Sequence, residues 1–146
     1  MTFRHINSTS DWLILEATFP KLTPDSLYDH FITPDLLTQW WVVDSAKVNA
    51  VVGGTYHFEW TAMNWHLRGT YKAAERGKVL AFSWKWDHEP SLPAREVCLV
   101  IQPDSTGSKL TLLHGIYSES EADQQDRQSH LDGWQHFLGQ LAALSE

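Results

Sequence analysis

What this chain has little of narrows it first. It holds one cysteine, Cys98, so an internal disulfide is excluded. Lysine and arginine number 11 against 18 acidic residues, a formal charge of −7 with the histidines neutral. No basic patch is expected to supply phosphate contacts, which argues against nucleic acid and anionic membrane surfaces as partners. No stretch approaches the roughly 18 consecutive apolar residues that suggest a membrane span. The opening MTFRHINSTSDW carries no apolar run of the kind a secretory signal needs. A cytoplasmic protein without a membrane span is the expectation. There is no glycine-rich phosphate loop, no Gly-x-Ser-x-Gly elbow and no dinucleotide fingerprint, and no cofactor is expected. Repeats, low-complexity tracts and internal boundaries are missing too. Residues 1–146 therefore read as one domain, with 1–8 a loose leader.

What is present is aromatic and periodic. Eight tryptophans stand in 146 residues, of which 42% are apolar. Residues 120–144 form the one long amphipathic stripe, with Leu131, Trp134, Leu138 and Leu141 at helical spacing and Phe137 and Leu144 widening the face. Before it, apolar and polar residues alternate with period two in several segments, the sign of strands with one covered face. Leu13, Leu15, Ala17 and Phe19 share the inner face of a first strand over 9–19, which Pro20 ends. Thr23-Pro24-Asp25 and Thr33-Pro34-Asp35 are start signals for two short helices, the second carrying Trp40 and Trp41. A weaker strand at 45–51 leads to the Gly53-Gly54 turn. Four clearer inner faces follow: Tyr56, Phe58 and Trp60; Trp65, Leu67, Gly69 and Tyr71; Leu80, Phe82, Trp84 and Trp86; then, past a proline-bearing loop from Asp87, Val97, Leu99 and Ile101. Leu110, Leu112 and His114 make the last. The expected fold is α+β: a seven-stranded curved antiparallel sheet around a long C-terminal helix, with two short helices after the first strand. A helix laid on a curved sheet touches it over part of its length and leaves a gap elsewhere.

This pattern resembles the SRPBCC superfamily, which shares the helix-grip fold of START domains and the birch-pollen allergen. Within it the chain resembles the activator-of-heat-shock-protein-90-ATPase homologues. The resemblance rests on Thr33-Pro34-Asp35-Leu36-Leu37 with Trp40-Trp41, and on Val52-Gly53-Gly54-Thr55-Tyr56-His57-Phe58 and Gly69-Thr70-Tyr71. Val79-Leu80-Ala81-Phe82-Ser83-Trp84, Leu110-Thr111-Leu112-Leu113-His114 and His130-Leu131-Asp132-Gly133-Trp134 continue it, with Leu138 and Leu141. The set runs in order over nearly the whole chain. It implies an apolar cavity between sheet and helix but no single activity, since the superfamily includes lipid carriers, cyclases, aromatases and hydrolase-like members. The co-chaperone role in the family's name belongs to larger proteins with a further N-terminal domain, for which a single domain has no room.

The candidate site is the set of inward residues. Trp40 and Trp41 would stand at the mouth. Tyr56, Phe58, Trp60 and Leu67 would come from one pair of strands, Phe82, Trp84 and Trp86 from the next. Leu99, Leu112 and His114 would close the sheet side, and Trp134 and Leu138 the helix side. Any one of these rings reads as core packing. So many on a concave sheet pack poorly without a void or a guest, which is the reason to expect a small apolar or aromatic molecule. His114, facing in, is either a core histidine with a backbone or water partner or a general base kept neutral by desolvation. No acid pairs with it from sequence; Glu16 and Glu59 face outward. The histidines make no metal site. His130 and His136 are six apart on the helix, and outward His57 and His66 can meet but lack a third ligand. Cys98 faces outward and reads as inert. Gly133, costly by roughly 1 kcal/mol relative to alanine inside a helix, lets sheet or ligand approach the backbone, or marks a kink. Three functions are thus in view: a small-molecule binder, an enzyme of the cyclase, dehydratase or hydrolase kind with His114 as acid/base, and a stress-related, co-chaperone-like interaction module. Outward Trp12 and Ile14 would serve that module, or a homodimer.

Overall fold

The computed structural model describes residues 3–6 and 9–145. Strands β1 (Phe3–Ile6) and β2 (Trp12–Phe19) precede two helices, α1 (Pro24–Ile32) and α2 (Pro34–Trp40). Then come β3 (Ser45–Val48), β4 (Thr55–Trp60), β5 (Trp65–Glu75), β6 (Val79–Trp86), β7 (Arg95–Asp104) and β8 (Gly107–Gly115), and the long α3 (Glu121–Ser145). All pairings are antiparallel, in the spatial order β1-β2-β8-β7-β6-β5-β4-β3. The sheet has eight strands rather than the expected seven. The extra one lies in the presumed leader, where four residues are too few to show a period; its partner strand reveals it, with Arg4 bonded to Glu16 at 2.8 Å. The rest of the leader (1, 2, 7 and 8) lies outside the described residues.

The chain crosses from β2, near one edge of the sheet, to β3 at the other through α1 and α2. Thr23 caps α1 by accepting a hydrogen bond from Ser26 N at 3.1 Å, and Pro24 occupies the first turn, where no N–H is needed. Helices this short gain stability from packing rather than from propensity. They bury Leu27, Tyr28, Phe31, Leu37 and Trp40.

Alternation places the core as expected. Every second residue of β2 and β4 and most of β6, β7 and β8 is buried, and α3 adds Leu131, Trp134, Leu138 and Leu141. A register shift between Tyr71 and Ala73 interrupts the β5–β6 ladder, a device that bends a strand. Gly69 is required here. A β carbon would collide with the Ser83 carbonyl oxygen and the Tyr56 ring, whose hydroxyl donates to that same oxygen at 2.6 Å. Two expected inward residues end up at the margin. Trp65, at the start of β5, is 37% exposed, and Leu144, in the last turn of α3, is 62% exposed, because the layer that would cover them stops short.

Leu138 has no exposed surface and joins α3 to the core. Leu138→Ala should cost about 2–5 kcal/mol in urea unfolding; a loss below about 1 kcal/mol would show that the helix is not held there.

Candidate functional site

The gap lies beside the middle of α3. It is a pocket of about 660 Å³. The end of α2 contributes Trp41 and Val42; β4, β5 and β6 contribute Trp60, Trp65, Trp84 and Trp86; the loop after β6 contributes His88 and Glu89. On the helix side stand Asp126, Ser129 and His130, then Gly133, Trp134 and His136, then Phe137 and Gln140.

The tryptophan wall is continuous. Trp41 lies 5.9 Å from Trp84 in a stacked arrangement and 5.8 Å edge-on from Trp60. Trp60 meets Trp86 at 5.4 Å, and Trp84 meets Trp134 at 5.6 Å. Such contacts are worth roughly 0.5–1.5 kcal/mol each beyond burial, so the wall stands without a ligand. Val42, just past α2, has φ of 59° and is 54% exposed. A β-branched side chain in the left-handed region, where helices usually end on glycine, costs roughly 1–2 kcal/mol. The residues on either side of it, Trp41 and Val43, are both buried. Gly133 explains itself here. A β carbon added to it meets nothing within 4 Å, so the bare stretch of helix backbone opens onto the pocket.

Polar groups gather at the N-terminal end of α3. Arg95 is 2% exposed and continues the inner face of β7 beneath Val97. Its guanidinium donates to Asp123 at 3.0 and 3.2 Å, to Asp126 at 3.0 and 3.2 Å and to the Ile116 carbonyl at 2.7 Å. It also lies 4.5 Å over the Tyr117 ring. That guanidinium bond, joined by the Ser118 amide, holds the Asp123 carboxyl well below the usual carboxylate range. His130 faces the pocket with Nδ1 2.7 Å from the Tyr117 hydroxyl and Nε2 3.5 Å from Asp126. A carboxylate only accepts, so the proton belongs on Nε2 and Tyr117 donates to Nδ1. Behind it, 4.3 Å away and nearly parallel, stacks His114. Its Nδ1 accepts from Trp134 Nε1 at 3.0 Å, while its Nε2 and Trp84 Nε1 have no partner among the described residues.

Of the fourteen residues expected to bind, Trp41, Trp60, Trp84, Trp86 and Trp134 border the pocket. Trp40 is stacked behind Trp41 at 5.5 Å, its ring N–H donating to the His30 carbonyl. Tyr56, Phe58, Leu67 and Phe82 lie in the core, as do Leu99, Leu112 and Leu138. His114 is fully buried one layer behind the lining. Sequence reasoning passed over Arg95, Glu89 and Asp126, and weighed His130 only as a metal ligand. Two signals were there: Arg95 shares its parity with Val97, Leu99 and Ile101, and 123, 126, 130 and 134 step along one helix face. His57 and His66 do meet, at 2.8 Å, on the outer surface. Among the described residues no three His, Cys, Asp or Glu side chains are grouped to hold a metal, and no helix is long and apolar enough to cross a membrane.

Residues 21–146 match the family described as Activator of Hsp90 ATPase homolog 1-like protein. The chain belongs to that family. Its fold is the SRPBCC helix-grip, whose members often bind ligands or act as cyclases. No curated protein matches in sequence. Among solved structures, a Rhodobacter sphaeroides protein is similar at TM-score 0.82 and 17% identity, over 98% of this chain and 97% of that one. A Chromobacterium violaceum protein is similar at 0.74 and 23%, over 94% and 99%. CalU16 from Micromonospora echinospora is similar at 0.74 and 18%, over 99% and 84%. Likeness at such identities speaks for the fold, and this family member's chemistry has to be read from its own pocket.

The stacked imidazoles make stability depend on pH. Burial holds His130 down at about 4 against the pull of Asp126, and burial with His130 beside it holds His114 well below the usual value. In the unfolded chain both titrate near 6.5. Between about pH 6.5 and 4 the unfolded chain takes up protons that the folded chain refuses, so stability falls as pH falls through that window. In urea unfolding at pH 7 and pH 5, His130→Gln should lose about 2 kcal/mol less on acidification than the parent chain. An equal loss would show that His130 is not held neutral by the fold.

Proposed function

We propose that this chain is a cytoplasmic protein that binds a small apolar or aromatic molecule in the tryptophan-walled pocket. The observation that carries this reading is the pocket itself: about 660 Å³, within the roughly 300–1,000 Å³ of small-molecule sites, with rings on several sides and a few polar groups at one end. Gly133 supports it. A core helix gains by replacing an internal glycine, and here an alanine would fit, yet the helix keeps the position bare on the pocket side. The ligand would enter past Val42, Met63 and Trp65, whose side chains are exposed at the rim.

A second reading, an enzyme of the cyclase, dehydratase or hydrolase kind, is favoured by one observation. His130 is a neutral imidazole at the pocket surface, and its Nδ1 could take a proton from a bound substrate once the Tyr117 hydroxyl, which donates to it at 2.7 Å, gives way. His114, the candidate from sequence, lies fully buried behind His130 and outside the pocket lining.

The binding reading predicts that lipids, flavonoids or aromatic acids quench tryptophan emission on titration. Gly133→Leu should weaken a responding ligand at least about tenfold by filling the pocket, while the unfolding midpoint stays level or rises. A broad screen without quenching, or a ligand indifferent to Gly133→Leu, would remove the pocket as the site.

A further inference from the structure

Resting on the small-molecule reading above, we infer that the pocket's ligand is an organic cation, an amine or quaternary ammonium carried on an apolar body. The argument starts from what the walls hold. Two carboxylates, Glu89 and Asp126, are in the lining, and neither lysine nor arginine is. The two cations nearby are already committed. Arg95 lies behind the lining, bound to both Asp123 and Asp126. Lys85 points under the loop after β6, bonded to the carbonyls of Glu89, Pro90 and Leu92. Three carboxylates therefore face two cations around this end of the pocket, and the chain as a whole carries −7. His130 adds no charge near neutral pH, since its affinity for a proton is depressed to about 4. Burial, and after it the repulsion of Asp126, raises the Glu89 carboxyl above its ordinary value against the smaller pull of His88, Arg95 and Lys85.

The rings point the same way. Six of the eight tryptophans border the pocket, and indole is the aromatic group that attracts a cation most strongly over its face. Trp41, Trp60, Trp84, Trp86 and Trp134 are linked by contacts of 5.4–5.9 Å, so the rings form one continuous wall rather than isolated patches. Trp65 extends it to the rim, stacked on His88 at 4.6 Å. An anion would meet two carboxylates and ring faces. A neutral apolar body would fit the walls and leave Glu89, which has the His88 imidazole 3.7 Å away, without a cation, while Asp126 already accepts from Arg95. A cation satisfies both halves of the lining, with its charge toward Glu89 and Asp126 and its carbon toward the indoles.

The test uses three benzyl probes at fixed ionic strength and pH 7.5: benzyltrimethylammonium, its neutral carbon isostere neopentylbenzene, and the smaller phenylacetate as the anion. Affinities are read from tryptophan quenching of the full chain and checked by calorimetry. The cation should bind at least about tenfold tighter than the neutral isostere, with the anion weakest. Glu89→Gln, a change on a half-exposed loop that leaves the core intact, should narrow the cation-to-neutral ratio about threefold. Equal or tighter binding of the neutral or anionic probe overturns the cation and leaves the apolar-ligand reading in place. A preference that ignores Glu89→Gln overturns it too, because the charge would then lie elsewhere. No binding of any probe overturns the cation and leaves the apolar-ligand reading to its own screen.

Discussion

The pair of aspartates that meets Arg95 sets the stance of the long helix, and most else depends on it. A guanidinium this deeply buried is tolerable only when its donors are satisfied, and Asp123, Asp126 and the Ile116 carbonyl take them all up. Two of those partners sit one turn apart on α3, so the helix cannot roll or slide without stranding a charge. The other end is held by Leu138 and Leu141 in the apolar core. Between a polar pin and an apolar one, the helix spans the curved sheet as a bridge, and the pocket is the space it spans.

That space stays open because both sides keep out of it. On the sheet side, rings that might have collapsed inward are occupied with each other, edge to face and stacked, at 5.4–5.9 Å. On the helix side, Gly133 withholds a side chain where one would fit. Interiors are ordinarily packed to crystal density, so a gap of this size beside a well-built core is a feature of the design of the fold.

The polar end of the pocket and its aromatic walls are coupled. His130 borders the pocket, stacks on His114 and touches Asp126, and His114 in turn receives the ring N–H of Trp134. A ligand that shifted Trp134 or His130 would be felt at the pin that holds the helix. Binding, helix position and protonation of the imidazoles thus share one set of contacts.

Much of this was legible in residue order alone. Period-two alternation told which side of each strand is covered, and it placed Leu13, Tyr56, Trp84, Leu112 and His114 inside, because a side chain on a strand has only two faces to choose from. The helical stripe through Leu131, Trp134 and Leu138 was equally plain. A four-residue strand such as β1 was not, since its period shows only beside a partner. Nor could alternation tell which inward residues line a void and which fill the core. Trp84 and Phe82 share one face of β6, yet only Trp84 borders the pocket. That choice belongs to the curvature of the sheet and the resting place of α3, and Arg95, Asp123 and Asp126 settle it through contacts between residues about thirty positions apart. Local spacing decides which way a side chain points; only long-range packing decides what it points at.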